Sequence, residues 1–222
     1  ARKPGLSMLL QPIGPELAEV IGLKEDCARV AFVFPGGASE KAGILAGDIL
    51  SRFNDDTVRC RQETDLSHFM AKVRRLQPGE TVECGLLRNG RELKVKMTLE
   101  ADDPDRENLK SYEDKEFEFK LREMTRKERI LEKIPADVVG IRVEEVKGSG
   151  WASLAHVAVG DILLAIDGAP TGDVETAKGI MQAAVKNKTR RIVFQVRRGV
   201  HTLFAQVEPA WDVKQSEGVI GH

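Results

Sequence analysis

The chain predicts an α+β, mainly β fold built twice in tandem. Two observations carry that reading: an internal repeat and, within each copy, short alternating apolar runs broken by turn residues. Sliding the 222-residue sequence against itself by 113 positions pairs Ile21 with Ile134, Arg29 with Arg142, Val30 with Val143, Val33 with Val146, Gly37 with Gly150 and Ala42 with Ala155. The same shift lays Gly47-Asp48-Ile49-Leu50 on Gly160-Asp161-Ile162-Leu163. These identities need no gap and fall within about 30 residues, which marks two copies of one fold. Further on, Leu87-Arg88-Asn89-Gly90 answers Val196-Arg197-Arg198-Gly199 at a displacement of 109, so the second copy reads as four residues shorter there.

The elements of the first copy follow from period and punctuation. Leu6, Met8 and Leu10 alternate as a strand, Pro15 to Ile21 reads as a short helix, and Val30 to Phe34 is a strand closed by Pro35-Gly36-Gly37. Ser39 to Gly43 makes one helical turn that stops on a glycine. Asp48 to Phe53 is an apolar strand turned by Asn54-Asp55, and Leu66, Phe69, Met70, Val73 and Leu76 share one face of a long helix. Val82 to Leu87 and Leu93 to Leu99 form a hairpin about Arg88-Asn89-Gly90, where Asn-Gly supplies the positive φ of a tight turn. In the second copy Phe117, Phe119 and Leu121 alternate as the first strand, a pattern that a plain core face fits equally well. Lys127 to Lys133 is its short helix, and Val174, Ala177, Met181, Ala184 and Val185 line its long one. Residues 101–114 are rich in Asp and Glu and lack apolar period, so they read as a linker. The expected organisation is a first domain over 1–100, the acidic linker 101–114, a second, divergent domain over 115–210 and a tail over 211–222.

Composition excludes several function classes. Lys plus Arg (34) nearly balance Asp plus Glu (35), so no net field recruits nucleic acid or an anionic membrane. Twenty glycines and 5% aromatics suit small, turn-rich domains with modest cores. Cys27, Cys60 and Cys84 are odd in number and widely spaced, which points to buried small hydrophobes rather than a disulfide framework or a zinc knuckle. No run approaches the roughly 18 apolar residues of a membrane span. The start at Ala1 reads as that of a fragment, and the compartment is not legible. His68, His156, His201 and His222 lack metal spacing, and Gly148-Ser149-Gly150 reads as a loop, since it lacks the pattern of a nucleophile turn. No serine-protease segment or phosphate-cradling loop occurs, so the chain is expected to be no enzyme by itself and to need no cofactor or metal.

The block Gly36 to Leu50, with Ala42-Gly43-Ile44 followed by Gly47-Asp48-Ile49-Leu50, together with Gly5-Leu6-Ser7-Met8 ahead of a strand, resembles the PDZ domains of the HtrA/Deg family of serine proteases. The resemblance covers nearly all of residues 4–209. It implies, for each copy, a small partly open antiparallel β-barrel capped by two helices. It also implies that the chain is the substrate-recognition and regulatory part of such a protease, binding apolar C-termini of unfolded or processed proteins in the cell envelope. A non-proteolytic scaffold or self-association module is the alternative.

In such a domain a peptide C-terminus adds as a strand, its carboxylate held by loop amides and its side chains by pockets. The resemblance places the carboxylate loop at Gly5, Leu6, Ser7 and Met8 and the peptide groove at Leu9, Leu10, Leu66 and Met70. Leu6 and Met8 floor the pocket, which favours an apolar terminal residue. A merely structural turn at Gly5 to Met8 is the other reading. Ser7 replaces a family glycine, which makes unusual backbone angles costlier. Arg2 and Lys3 add positive charge nearby. In the second copy the 113 shift puts Glu118-Phe119-Lys120-Leu121 under the loop, so both glycines are lost and a carboxylate stands where an anion should bind. A second groove at Phe119, Lys120, Leu121, Val174 and Met181 is therefore expected to bind weakly, bind internal segments or dock a partner. Trp151 replaces the small Ala38 and reads as packing or as an exposed protein contact.

Overall fold

The computed structural model describes residues 2–23, 26–104 and 108–211. The chain divides into two compact units, Ala1–Pro104 and Asp105–His222. Both are mainly β, with antiparallel sheets and a few short helices.

In the first unit β1 (Pro4–Gly5) leads through a tight bend into β2 (Met8–Ile13), followed by α1 (Pro15–Val20), β3 (Cys27–Val33), α2 (Ala38–Lys41), β4 (Ile49–Phe53), β5 (Asp56–Thr57), α3 (Glu63–Val73), β6 (Thr81–Arg88), β7 (Arg91–Thr98) and β8 (Glu100–Ala101). The main sheet runs β2-β3-β4-β6-β7, with β5 on β4, while β1 and β8 pair separately. Gly43 closes α2 in the left-handed region at φ 77°, as its glycine signal demands. Asn89 and Gly90 both take positive φ in the two-residue turn between β6 and β7. Leu6, Met8, Val30, Leu50, Val73 and Leu86 belong to one buried cluster. Its packing follows the alternation of the strands and the single apolar stripe of α3.

The second unit opens on β9 (Ser111–Asp114) and β10 (Phe119–Arg122), then α4 (Arg126–Leu131), β11 (Ile141–Val146), α5 (Trp151–Leu154), β12 (Ile162–Ile166), β13 (Ala169–Pro170), α6 (Val174–Lys186), β14 (Ile192–Arg198) and β15 (His201–Val207). Its sheet runs β15-β14-β12-β11-β10-β9, with β13 on β12. The order from β10 onward repeats that of the first unit from β2 onward. Asp173 caps α6 by accepting from the Thr176 amide at 2.8 Å, and Val174, Ala177, Met181 and Ala184 are buried from that helix.

Two parts of the repeat align differently from the sequence shift. Met8 pairs with Val33 and Phe119 with Val146, so the first strand of each unit corresponds at a displacement of 111. The C-terminal bonds of the short helices agree: the Leu23 amide reaches Ala18 O as the Ile134 amide reaches Arg129 O. Two extra residues therefore fall between α4 and β11, and Ile21 does not answer Ile134. Likewise Arg88 and Arg198, not Arg197, are equivalent, since each grips the buried aspartate of its Gly-Asp block. Asn89-Gly90 thus corresponds to Gly199-Val200.

That aspartate is buried in both units. Asp48 is 1% exposed and takes Arg88 Nε and Nη2 at 2.7 Å each, with the Leu45 amide at 2.9 Å, while Arg88 Nη2 also reaches Gly43 O. Asp161 repeats the arrangement with Arg198, the Ala158 amide and His156 O. A bidentate fork of this kind satisfies a carboxylate that burial would otherwise penalise.

The stretch 101–114 is more than a linker. Ala101 ends β8, and Ser111–Asp114 form β9 with Tyr112 and Asp114 turned inward. Composition hid this, because two inward residues in four are too short a pattern to register as a period. Trp211, assigned to the tail, packs on the second core at 4.6 Å from the Trp151 ring and donates its Nε1 hydrogen to Thr189 O. Residues 212–222 lie outside the described residues. Cys27, Cys60 and Cys84 are buried, and burial pushes the Cys60 and Cys84 thiols up to about 11 and about 12.

Candidate functional site

β2 lies at the margin of its sheet: among the described residues β3 is its single strand neighbour. α3 runs beside it, the two approaching within 8 Å between Cα atoms. Met8 is buried and Leu10, Leu66 and Met70 are half-buried, all in one apolar cluster. The residues assigned to the first groove are thus brought together, with one correction. Leu9 is 40% exposed and lies on the other face of β2, because neighbours along a strand point to opposite sides. A separate cavity of about 390 Å³ borders the far side of α3, where Phe53, Val58, His68, Phe69 and Leu76 line it. It does not include β2.

The bend ahead of β2 is tied down from three sides. The Phe34 amide donates to Ser7 O at 2.9 Å, Ser39 Oγ donates to the buried Leu6 O, and the β1–β8 pair holds Gly5 opposite Glu100. Ser7, rather than Gly5, takes the left-handed conformation, at φ 54°. Gly5 is needed for space: a Cβ there would sit 2.5 Å from the Asp102 carboxyl carbon. A carboxyl group therefore lies against this bend, which the reading of 101–114 as a linker missed. Gly37 is needed for space too, since a Cβ there would meet the Ser7 Cβ at 2.4 Å, and this close approach explains the repeated Gly37 and Gly150. Arg2 and Lys3 are exposed, and Lys3 O accepts from the Asp102 amide.

The strain at Ser7 makes a measurable prediction. A left-handed residue with a Cβ costs about 1–2 kcal/mol, and glycine gives back part of that through its looser unfolded chain. Ser7→Gly should therefore stabilise the first unit by about 0.5–1 kcal/mol, read as a higher urea midpoint. An unchanged or lower midpoint contradicts the strain.

The second unit departs from the expected groove. Glu118 takes the place of Ser7, at φ 56°, and Lys147 donates to Glu118 O as Phe34 does to Ser7 O. The loop is hence Glu116-Phe117-Glu118-Phe119, two residues before the segment that the ungapped shift selects. Phe119, Leu121, Val174 and Met181 are all at most 2% exposed and form core. Lys120 is paired with Glu144 at 3.0 Å. Arg122, 2% exposed, is held by Glu128, Glu144 and Glu123 O. Burial works to raise the Glu128 carboxyl, yet Arg122 and the Thr125 amide bring it below its ordinary value. β9 lies along β10 with Phe119 opposite Asp114 and Leu121 opposite Tyr112, and α6 packs against β9. The margin that is open in the first unit is filled here by the chain itself. Trp151 is half-buried, edge-on to Phe117 at 5.3 Å, so packing is its role. Among the described residues no helix is long and apolar enough to cross a membrane, and no cluster of His, Cys, Asp or Glu is placed to hold a metal.

Comparison with known proteins finds one matching domain profile and several similar sequences. The profile of the PDZ domain matches residues 18–99, a span that includes α3 and leaves out the bend at Gly5 to Met8. A probable periplasmic serine endoprotease DegP-like of Bartonella henselae is 27% identical over 193 residues, 86% of this chain and 37% of the relative. A DegP-like relative from Halomonas elongata is 31% identical over 166 residues, 72% of this chain and 33% of its own length. The solved HtrA-type protease AlgW with decapeptide aligns at 25% identity with a TM-score of 0.40, covering 47% of this chain and 31% of that one. The chain spans about a third of the length of the curated relatives it matches. It carries a PDZ domain and is homologous to the PDZ region of the DegP/HtrA serine proteases.

Proposed function

We propose that the first unit binds peptides ending in an apolar residue with a free carboxylate, by strand addition to β2, as the recognition and regulatory part of a DegP-like protease. The open margin of β2 beside α3 supports this reading most directly. A strand added there gains main-chain hydrogen bonds that any peptide can supply. Selectivity then falls to the apolar cluster of Met8, Leu66 and Met70, where adaptable Met side chains suit several apolar ends. Strands pair at about 4.8 Å, so a peptide entering between β2 and α3 parts them where they are closest. In a longer protein carrying a protease domain, the bound end would raise the local concentration of substrate.

A hexapeptide ending in Leu-Val tests the reading by titration against the whole chain. The free carboxylate form should bind with shifts at the amides of Leu6, Ser7 and Met8. The C-terminal amide should bind at least about tenfold more weakly, since a charge-assisted bond to the loop is lost. Met70→Glu, on a half-buried position, should abolish binding and keep the circular dichroism spectrum. Met8 is unsuited to that role, because at 6% exposure a carboxylate there would be buried in the core. Equal affinity of acid and amide overturns the capture of a terminus.

A further inference from the structure

In the second unit β9 runs antiparallel to β10, with α6 against its other side. This is the position and direction that an added ligand strand would take. Ser111 and Glu113 face outward, Tyr112 packs on the core, and Asp114 is 3% exposed. Asp114 Oδ1 accepts from the amides of Glu116 at 3.0 Å and Phe117 at 2.9 Å, and its Oδ2 accepts from the Tyr112 hydroxyl at 2.8 Å. Glu116 and Phe117 correspond to Gly5 and Leu6 of the first unit, the start of the loop proposed there for a terminal carboxylate.

We propose that residues 111–114 are a built-in ligand of the second unit, and that this groove is a second site for peptide C-termini, closed until β9 is displaced. The inference rests on the reading of the first unit for the class of ligand. Its own support is separate: a strand interposed between β10 and α6, with a buried carboxylate on the loop amides. Asp114 stands in for a terminal carboxylate and Tyr112 for a side chain two residues before it. Because the ligand is tethered by the short connection from Asp114 to Phe119, it competes at high effective concentration. An outside peptide then binds only in proportion to the fraction of molecules with β9 released.

The test uses the full chain labelled with ¹⁵N and the same Leu-Val hexapeptide, as acid and as amide. In Tyr112→Ala/Asp114→Ala, the acid should shift the Glu116 and Phe117 amides with an affinity at least about tenfold above that of the unsubstituted chain, and the amide should not. Tryptophan emission from Trp151 and Trp211 verifies that the second unit is folded. If the double variant is not folded, Asp114→Asn, which keeps an oxygen for the turn and drops the charge, supplies the same comparison. No shift at Glu116 and Phe117 in a folded variant overturns the proposal and leaves Asp114 as a turn residue. Equal affinity with and without the substitutions overturns it too. Leu6, Ser7 and Met8 report the first unit in the same spectra, so a failure of that site is seen separately.

Discussion

Asp48→Ala should destabilise the first unit by about 3 kcal/mol, because removing one partner of a buried ion pair strands the other groups that it satisfied. Arg88 loses both of its short contacts to the carboxylate, and the Leu45 amide loses its acceptor. For a unit of this size that loss lowers the thermal midpoint by roughly 15 °C. Arg88 is partly solvated, with 30% of its side chain exposed, which keeps the cost nearer the low end of such pairs. Both tryptophans lie in the second unit, so their emission follows that unit while circular dichroism sees both. The early transition should therefore appear in circular dichroism and be absent from the emission trace. The effect also depends on pH. Burial works to raise the Asp48 carboxyl, but the Arg88 and Leu45 hydrogen bonds hold it below its ordinary value of 3.8. A depressed value means that the carboxylate's contribution is complete above that ordinary value and is lost as pH falls through the folded one. The gap between the unsubstituted chain and the variant should accordingly be constant at neutral pH and close below about pH 4. A gap that persists in stronger acid would assign the loss to packing rather than to charge. The double change Asp48→Ala/Arg88→Met should recover part of the stability, since no charge is then left without a partner.

The elements with a strong period were legible in the sequence. α3 and α6, the Asn89-Gly90 turn and the Gly-Asp strands rest on local chemistry that any fold must respect, and the repeat made each reading count twice. What stayed hidden was set by tertiary partners. Nothing near Asp48 in sequence names Arg88, forty residues away, as the group that allows its burial. The loop of the second unit was misplaced by two residues because an ungapped shift cannot see two residues inserted in the α4–β11 connection, a loop whose length carries little energy, while Phe119, Leu121 and Met181 do answer Met8, Leu10 and Met70. β9 escaped because a charged segment gains its order from β10 and α6 rather than from its own propensity. In the first unit Leu6, Met8, Leu66 and Met70 were legible as one apolar cluster because strand alternation and helix period both point there. The same alternation, applied strictly, would have set Leu9 on the outer face.

Phe117→Ala should cost the second unit about 4 kcal/mol, in the range found when a large aromatic is removed from a packed core. The ring is fully buried and meets four others edge-on or tilted: Trp151 at 5.3 Å, Phe194 at 6.0 Å, Trp211 at 6.2 Å and Phe119 at 6.3 Å. Such rings are too large and too well anchored to collapse into the space left, so the cavity term adds to the lost transfer energy. The backbone of Phe117 carries the loop as well, its amide on Asp114 and its carbonyl accepting from Ala152. Two readouts should therefore move together. The Trp151–Trp211 pair loses its shared neighbour, so emission should shift to the red before global unfolding, and the amides of β9 should exchange faster as the loop loosens. Phe117→Leu, which keeps most of the apolar volume, should retain more than half of the stability. If Phe117→Ala costs less than about 1 kcal/mol and leaves the emission unchanged, this aromatic cluster does not hold the second unit together, and the loop must owe its geometry to its backbone bonds with Asp114, Lys147 and Ala152 and to the pairing of β9 with β10.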